Sequence, residues 1–288
     1  MSAGNRTLQS LNDRIRLAAA ERGADANRLR RSVAHHVVLG RLAPAGLILK
    51  GGFCMEARLP HMARGTKDLD LVGKLALTHD SEELLDALED IASTGDTTGD
   101  FTIHFLTAQS LRLDAAGGAA WRVVTEVRVE GRPFERFPLD LIGQVEETHE
   151  GVEKLLVAAP LSAPGLQPLE VLAVDPYQHA AEKLHAYSRL YAGETPSSRV
   201  KDLVDLVLLI DAGLLANPRR LGERLRVVWR ARDDASPPHA LPAPPGAWTP
   251  DYAALAAQLG LSCATAEAAF DLIHTAYTAA QPDPGELQ

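Results

Sequence analysis

The chain has 288 residues, 46% of them hydrophobic and 23% charged, and a formal net charge of −9 at pH 7. That size and apolar share support a sizeable core, and no apolar run approaches the ~18 residues of a membrane span, which argues against a helical membrane protein. The charge is uneven: residues 1–50 carry a net +6, leaving −15 for the rest, so the acidic total alone does not exclude a nucleic-acid partner. Cys54 and Cys263 stand far apart with no CxxC or Cys/His grouping, so neither a disulfide framework nor a zinc site is encoded, and both are expected as buried thiols. The start "MSAGNRTLQSLNDRIRL" is polar, without an apolar leader, and a cytoplasmic location is the expectation.

In chain order, residues 7–22 and 25–42 read as two helices, the second starting near Asp25, and residues 1–45 form a basic helical N-terminal segment. "LILK" reads as a buried strand. A helix follows directly at Gly51-Gly52 and is cut short by Pro60. "KDLDLVG" is a second strand, and "HDSEELLDALEDIA" a helix capped by Asp80 or Ser81, with a loop at "TGDTTGD". "FTIHFLT", "WRVVTEVRV" and "RFPLDLIG" read as strands, the last two joined at Gly131-Arg132-Pro133. Residues 46–150 are therefore an α/β domain. From 151 to 288 the pattern is helical, with a helix capped by Asp175, another over "RVKDLVDLVLLIDAGL", an arginine-rich helix, two more helices, and a proline-rich surface loop at 235–250.

The chemistry starts at "LKGGFCMEARLPHMARGTKDLDL". A glycine pair between strand and helix allows a tight turn and presents amide N–H groups at a positive helix end, which suits phosphate, although close packing alone also explains such pairs. Asp68 and Asp70 are separated by one residue, so a strand sends both carboxylates to one face, where like charges need compensation. A hard divalent cation supplies it, since Mg²⁺ is held by one or two carboxylates plus substrate phosphates. Solvent-facing strand ends paired with Lys67 or Arg64 are the alternative. In "FPLDLIG", Asp140 faces away from Phe137, Leu139 and Leu141, which makes it a candidate third ligand or base, or a salt-bridge partner of Arg136 or Arg128.

Together with "DPYQHAAEKLHAYSRLYAGETPSSRVKDLVDLVLLI", these blocks resemble the AbiEii/AbiGii-type toxin nucleotidyltransferases of the DNA polymerase β-like superfamily, over roughly Leu29 to Asp211. The resemblance implies an α/β (α+β) fold, a minimal nucleotidyltransferase mixed sheet with flanking helices followed by a helical C-terminal domain. It also implies transfer of a nucleoside monophosphate from an NTP using one or two Mg²⁺ ions, an RNA acceptor such as a tRNA 3′ end, and a cognate antitoxin. Carried over onto this sequence, Gly51-Gly52 match the phosphate turn, Asp68 and Asp70 the metal pair, and Lys183 the triphosphate lysine, while Asp140 stays the candidate third ligand or base that the strand pattern offers. Asp202 and Asp205 fall on the last acidic motif, and Phe53 stands where a Ser often follows the glycines. The expected catalytic set is thus Asp68, Asp70, Asp140, Lys183, Asp202 and Asp205. The expected nucleotide contacts are Lys50, Gly51, Gly52, Arg64, Thr66, Lys183 and Arg199.

Six arginines between Arg219 and Arg232 face only Glu223, and Arg219, Arg226 and Arg230 share one helical stripe. With Arg28, Arg30 and Arg31 they are the expected RNA contacts; a solvated helix face is the plainer reading. A small hydroxyl compound or a protein side chain as acceptor, and a relative without turnover, are the competing functions. A monomer is expected.

Overall fold

The computed structural model describes residues 3–60, 62–94, 100–112, 119–143, 146–191, 195–196 and 199–281. Most of the loop expected at "TGDTTGD", and Ser197-Ser198, lie outside these residues. The chain groups into two compact units: Met1–Arg58, Gly65–Val145 and Glu153–Ala173 form one, Leu59–Arg64, Glu146–Val152 and Val174–Gln288 the other.

The first unit opens with α1 (Ala3–Glu21) and α2 (Ala26–Leu42). Asp25 caps α2, its carboxylate accepting from the Arg28 N–H at 2.6 Å. Leu11, Ile15 and Ala19 of α1 and Leu29, Val33, Val37 and Leu42 of α2 are buried, the apolar stripe that a packed helix needs. Strand β1 (Ile48–Lys50) runs straight into α3 (Gly51–Arg58), which stops two residues ahead of Pro60, and β2 (Leu69–Val72) follows. Helix α4 (Ser81–Thr94) is capped by Asp80, whose Oδ1 accepts from the N–H of Glu82 (2.7 Å) and Glu83 (3.3 Å). Strands β3 (Phe101–Arg112), β4 (Ala119–Val129), β5 (Arg132–Ile142), β6 (Val152–Val157) and β7 (Leu169–Val174) complete it.

Among the described residues seven strands form one sheet in the order β3-β4-β5-β2-β1-β7-β6. Pairs β2·β5 and β1·β7 are parallel, while β1·β2, β3·β4 and β4·β5 are antiparallel. Two details differ from the sequence reading. The β4–β5 hairpin turns on Glu130 and Gly131, both at positive φ (48° and 77°), so Arg132 and Pro133 already belong to β5; that pair of left-handed residues matches the twist of the flanking strands. Residues 151–174, read as the start of the helical part, instead contribute β6 and β7, because Val171, Ala173 and Val174 are buried strand positions next to β1. Arg58 at the end of α3 is ion-paired with Glu153 of β6.

The second unit holds α5 (Pro176–Ser188), the short pair β8 (Leu190–Tyr191) and β9 (Thr195–Pro196), α6 (Val200–Asp211), α7 (Pro218–Asp233), α8 (Thr249–Leu259) and α9 (Ala266–Ala280). Asp175 caps α5 as expected, accepting from the Gln178 N–H at 2.7 Å. Helix α6 is buried almost all round from Val200 to Leu209 and is packed by α5, α8 and α9; such a helix belongs at the centre of a bundle. The proline-rich segment is only partly a surface loop: Leu241 and Trp248 are buried, and the hydroxyls of Tyr187 and Tyr277 donate to the carbonyls of Pro242 and Pro238. Cys54 is buried as expected, whereas Cys263 is half-buried, next to the exposed Ser262.

Candidate active site

Four strands of the first unit bring one row of charges together. The register pairs Lys50 with Asp70, Asp70 with Asp140, and Asp140 with Arg122, across β1, β2, β5 and β4. Partners in register point to the same face, so Asp140 does stand beside Asp70, an adjacency sequence alone left open. Asp68 immediately precedes β2 rather than lying within it, and like Asp70 it is half-buried.

The glycine turn is shaped around this row. Gly51 has φ 66°, and a Cβ built on it would lie 1.9 Å from Asp70 Oδ2. A Cβ on Gly52 would lie 2.5 Å from the hydroxyl of Thr66, a buried residue whose Oγ1 donates to the Asp68 carbonyl at 3.3 Å. The two glycines thus let the first turn of α3 approach the acidic strand closely. Thr66, expected as a phosphate contact, packs on this turn. Phe53 points into the core, its ring edge-on to His35 at 5.0 Å, and His35 also meets Phe137 at 4.4 Å. Burial, helped by the charge of Arg31, lowers the pKa of His35 to about 3, so the ring is neutral.

Asp140 is held by Arg122, whose Nε and Nη2 donate to its two carboxylate oxygens at 2.8 and 2.7 Å. The salt-bridge partners expected from sequence, Arg128 and Arg136, instead clasp Glu126 at 2.6 and 2.7 Å. The hydrogen bonds to Asp140 hold Arg122 above the usual guanidinium range, with the fields of Asp68 and Asp70 adding to the effect. Among the described residues no three His, Cys, Asp or Glu side chains are placed to share a metal ion. Asp68 and Asp70 nevertheless fit Mg²⁺: they are hard oxygen donors two residues apart whose charges both reach Arg122, Asp70 lies against a turn cleared of any side chain at residue 51, and this ion completes its shell with water and phosphate.

The second unit gathers another expected set. Asp205, fully buried, accepts from Lys183 Nζ at 2.6 Å and from Arg64 Nε and Nη2 at 3.1 and 2.9 Å. Lys183 also donates to Asp202 at 3.2 Å, and Arg199 lies 3.7 Å from the other oxygen of Asp202. Burial alone would raise the carboxyl of Asp205, but Lys183 and Arg64 outweigh it and leave its pKa below the ordinary value. Burial opposes the charge of Lys183, and Asp205 and Asp202 outweigh that too, raising its pKa. Asp205 therefore pairs inward rather than with the exposed Lys201, and Arg64 is engaged by Asp205.

The expected RNA contacts divide. Arg28 is ion-paired with Glu56 at 2.7 Å, Arg30 donates to Asn12 at 3.0 Å and lies over the Phe134 ring, and Arg31 is half-buried near His35 and Glu135. On α7, Arg219, Arg226 and Arg230 are exposed, with Arg230 3.4 Å from Asp234; Arg220 is exposed as well, Arg232 is half-buried and Arg224 is buried. Arg220 pairs with buried Asp175, Arg224 donates to the Glu147 carbonyl, and Arg232 clasps the Glu147 carboxylate. Sequence reading missed Arg122, whose only sequence signal is its place on the polar side of an alternating strand.

Residues 41–272 match the family model described as nucleotidyl transferase AbiEii toxin, type IV TA system. The chain belongs to this family of nucleotidyltransferase toxins. Among solved structures it is similar to MenT4, a nucleotidyltransferase toxin from Mycobacterium tuberculosis H37Rv, with a TM-score of 0.53 at 20% identity, covering 94% of this chain and 91% of that one. At that identity the likeness establishes a shared nucleotidyltransferase fold. A more distant match is an antigenic nucleotidyltransferase-like protein from Paracoccidioides brasiliensis, with a TM-score of 0.37 at 16% identity over 72% of this chain and 90% of that one. No curated protein matches the sequence. Family membership makes the chain an enzyme that transfers a nucleotidyl group from an NTP with a divalent metal, and it implies a cognate antitoxin. Among the described residues no helix is long and apolar enough to cross a membrane.

Proposed function

We propose that this enzyme transfers a nucleoside monophosphate from a Mg²⁺-bound NTP to a hydroxyl of RNA, the 3′ end of a tRNA in particular, within the cytoplasm. The observation that supports the reading is Asp70 set against the cleared Gly51 turn, with Asp68 two residues away and the charges of both reaching Arg122. Asp68 and Asp70 would hold the metal, which when bound would stabilise charge developing on the reacting phosphate.

The chain's own groups supply the rest. Amides at the Gly51-Gly52 turn would orient phosphate oxygens at the start of α3. Within the second unit, Asp205 and Asp202 would keep Lys183, the lysine the resemblance assigns to nucleotide, in one position. The acceptor hydroxyl would attack the α-phosphorus in line, with pyrophosphate leaving. The exposed stripe of Arg219, Arg226 and Arg230 is the surface best suited to RNA phosphates.

The test is incubation of the purified protein with Mg²⁺, each α-labelled NTP in turn and total bacterial RNA, beside the Asp68→Ala variant. Label in a tRNA-sized, RNase-sensitive band, for the intact protein only, is the expected result. Label that survives RNase and moves with protein or a small molecule would replace RNA as the acceptor. Equal label with Asp68→Ala would remove Asp68 from the chemistry.

A further inference from the structure

The charge row has a cation at the position where a third carboxylate would be recruited. Arg122 grips both oxygens of Asp140 through a two-point fork, the geometry in which guanidinium and carboxylate bind each other best. The cross-strand register sets the pair opposite one another and leaves Asp140 next to Asp70. The side chain of Asp140 is 13% exposed and that of Arg122 45%, so the arginine lies on the open side of the pair and can leave without disturbing the core. The fields of Asp68 and Asp70 also reach it. A cation that bridges Asp140 and is attracted by Asp68 and Asp70 occupies the electrostatic role a divalent ion would take over.

We propose that Arg122 competes with the divalent metal for Asp140, so that Asp68 and Asp70 bind the ion first and Asp140 joins only when the guanidinium is displaced. This rests on the reading of Asp68 and Asp70 as metal ligands. Arg122 is accordingly a positioning residue that sets the metal concentration at which the third carboxylate engages. An ion pair this exposed is a weak competitor, so the effect on affinity is about two- to fivefold.

The test is direct Mn²⁺ binding to the full-length protein without nucleotide, read from the electron paramagnetic resonance signal of free Mn²⁺. Arg122→Gln is expected to tighten binding by about two- to fivefold. Arg122→Lys, which keeps the charge and loses the fork, should tighten it by part of that amount. In an Asp140→Asn background the gain from Arg122→Gln should vanish, because nothing is left to compete for. A gain of the same size in that background would overturn the proposal, since Arg122 would then act only through its field. No tightening in Arg122→Gln would overturn it as well. Wild-type binding that Asp68→Asn and Asp70→Asn leave unmoved would instead reject the metal reading itself, and the proposal with it.

Discussion

Asp70 and Gly51 occupy what would be a single volume: the carboxylate Oδ2 lies 1.9 Å from where a side chain on residue 51 would begin. The glycine is needed twice, for its φ of 66° and for the space its missing Cβ leaves to the acid. Neither need is visible in a reading of the glycine pair as a phosphate turn alone.

Gly51→Ala should therefore destabilise the protein and disable it. A left-handed alanine costs about 1 kcal/mol or more, and displacing Asp70 adds to that. Chemical denaturation should register a loss of about 1–3 kcal/mol, with nucleotidyl transfer falling by at least tenfold. Adding Asp70→Gly should restore part of the stability and none of the activity. If the double variant is as unstable as the sum of the two single changes, the two side-chain volumes are not in conflict.

The buried cluster of Lys183, Asp205 and Arg64 makes a prediction about both stability and acid resistance. Removing one member leaves uncompensated charge in the interior, a loss of about 3–5 kcal/mol. Asp205→Ala should show it in urea unfolding. The folded pKa of Asp205 is depressed, so its contribution is complete above the ordinary Asp value near ~4 and is lost as pH falls through the folded value. That of Lys183 is raised, so its contribution is complete below the ordinary Lys value near ~10.4 and is lost as pH rises past the folded one. The difference between wild type and Asp205→Ala should thus be flat between those limits and shrink outside them. A difference that already varies between pH 6 and 8 would contradict the assignment.

His35 works in the opposite sense. Its ring is neutral in the folded state, with a pKa of about 3, while the unfolded chain protonates it near ~6.5. As pH falls below that unfolded value the unfolded state binds the extra proton, and stability drops by ~1.4 kcal/mol per pH unit until the folded value is reached. His35→Phe, flanked by Phe53 and Phe137, should flatten that decline. Denaturation midpoints measured from pH 7 to pH 4 for the two proteins check it, and parallel curves would count against a neutral buried histidine.

Much of the fold is legible in the sequence. The helix caps Asp25 and Asp175, the start of α3 at Gly51 and the alternation that sends Asp140 away from Leu139 and Leu141 are local signals, and each stands where the sequence pattern puts it. Long-range pairing is not legible, and Arg122 shows why. The two-residue turn at Glu130-Gly131 pairs Val129 with Arg132, and counting back from it sets Arg122 against Leu139, on the wrong face. An irregularity between Val127 and Arg128 shifts the register by one and brings Asp140 opposite instead. Composition also misleads for the first arginines: Arg28 and Arg30 look like a basic patch in sequence, yet Glu56, Asn12 and Phe134 come to them from other segments.

That division among the arginines gives the last prediction. Arg226 and the other exposed members of the α7 stripe project from a helix whose remaining arginines hold Asp175 and Glu147. Reversing the stripe with Arg219→Glu, Arg226→Glu and Arg230→Glu should leave the melting temperature within a few degrees of wild type. It should weaken RNA binding steeply and lower the slope of log affinity against log salt, by ~0.7 for each single-strand phosphate that the stripe no longer neutralises. Arg28→Ala should do the reverse, lowering stability through the stranded, mostly buried Glu56 and leaving the salt slope where it was. Equal salt slopes for the reversed stripe and wild type would move the RNA-binding surface away from α7, and a lowered slope in Arg28→Ala would return it to the first helices.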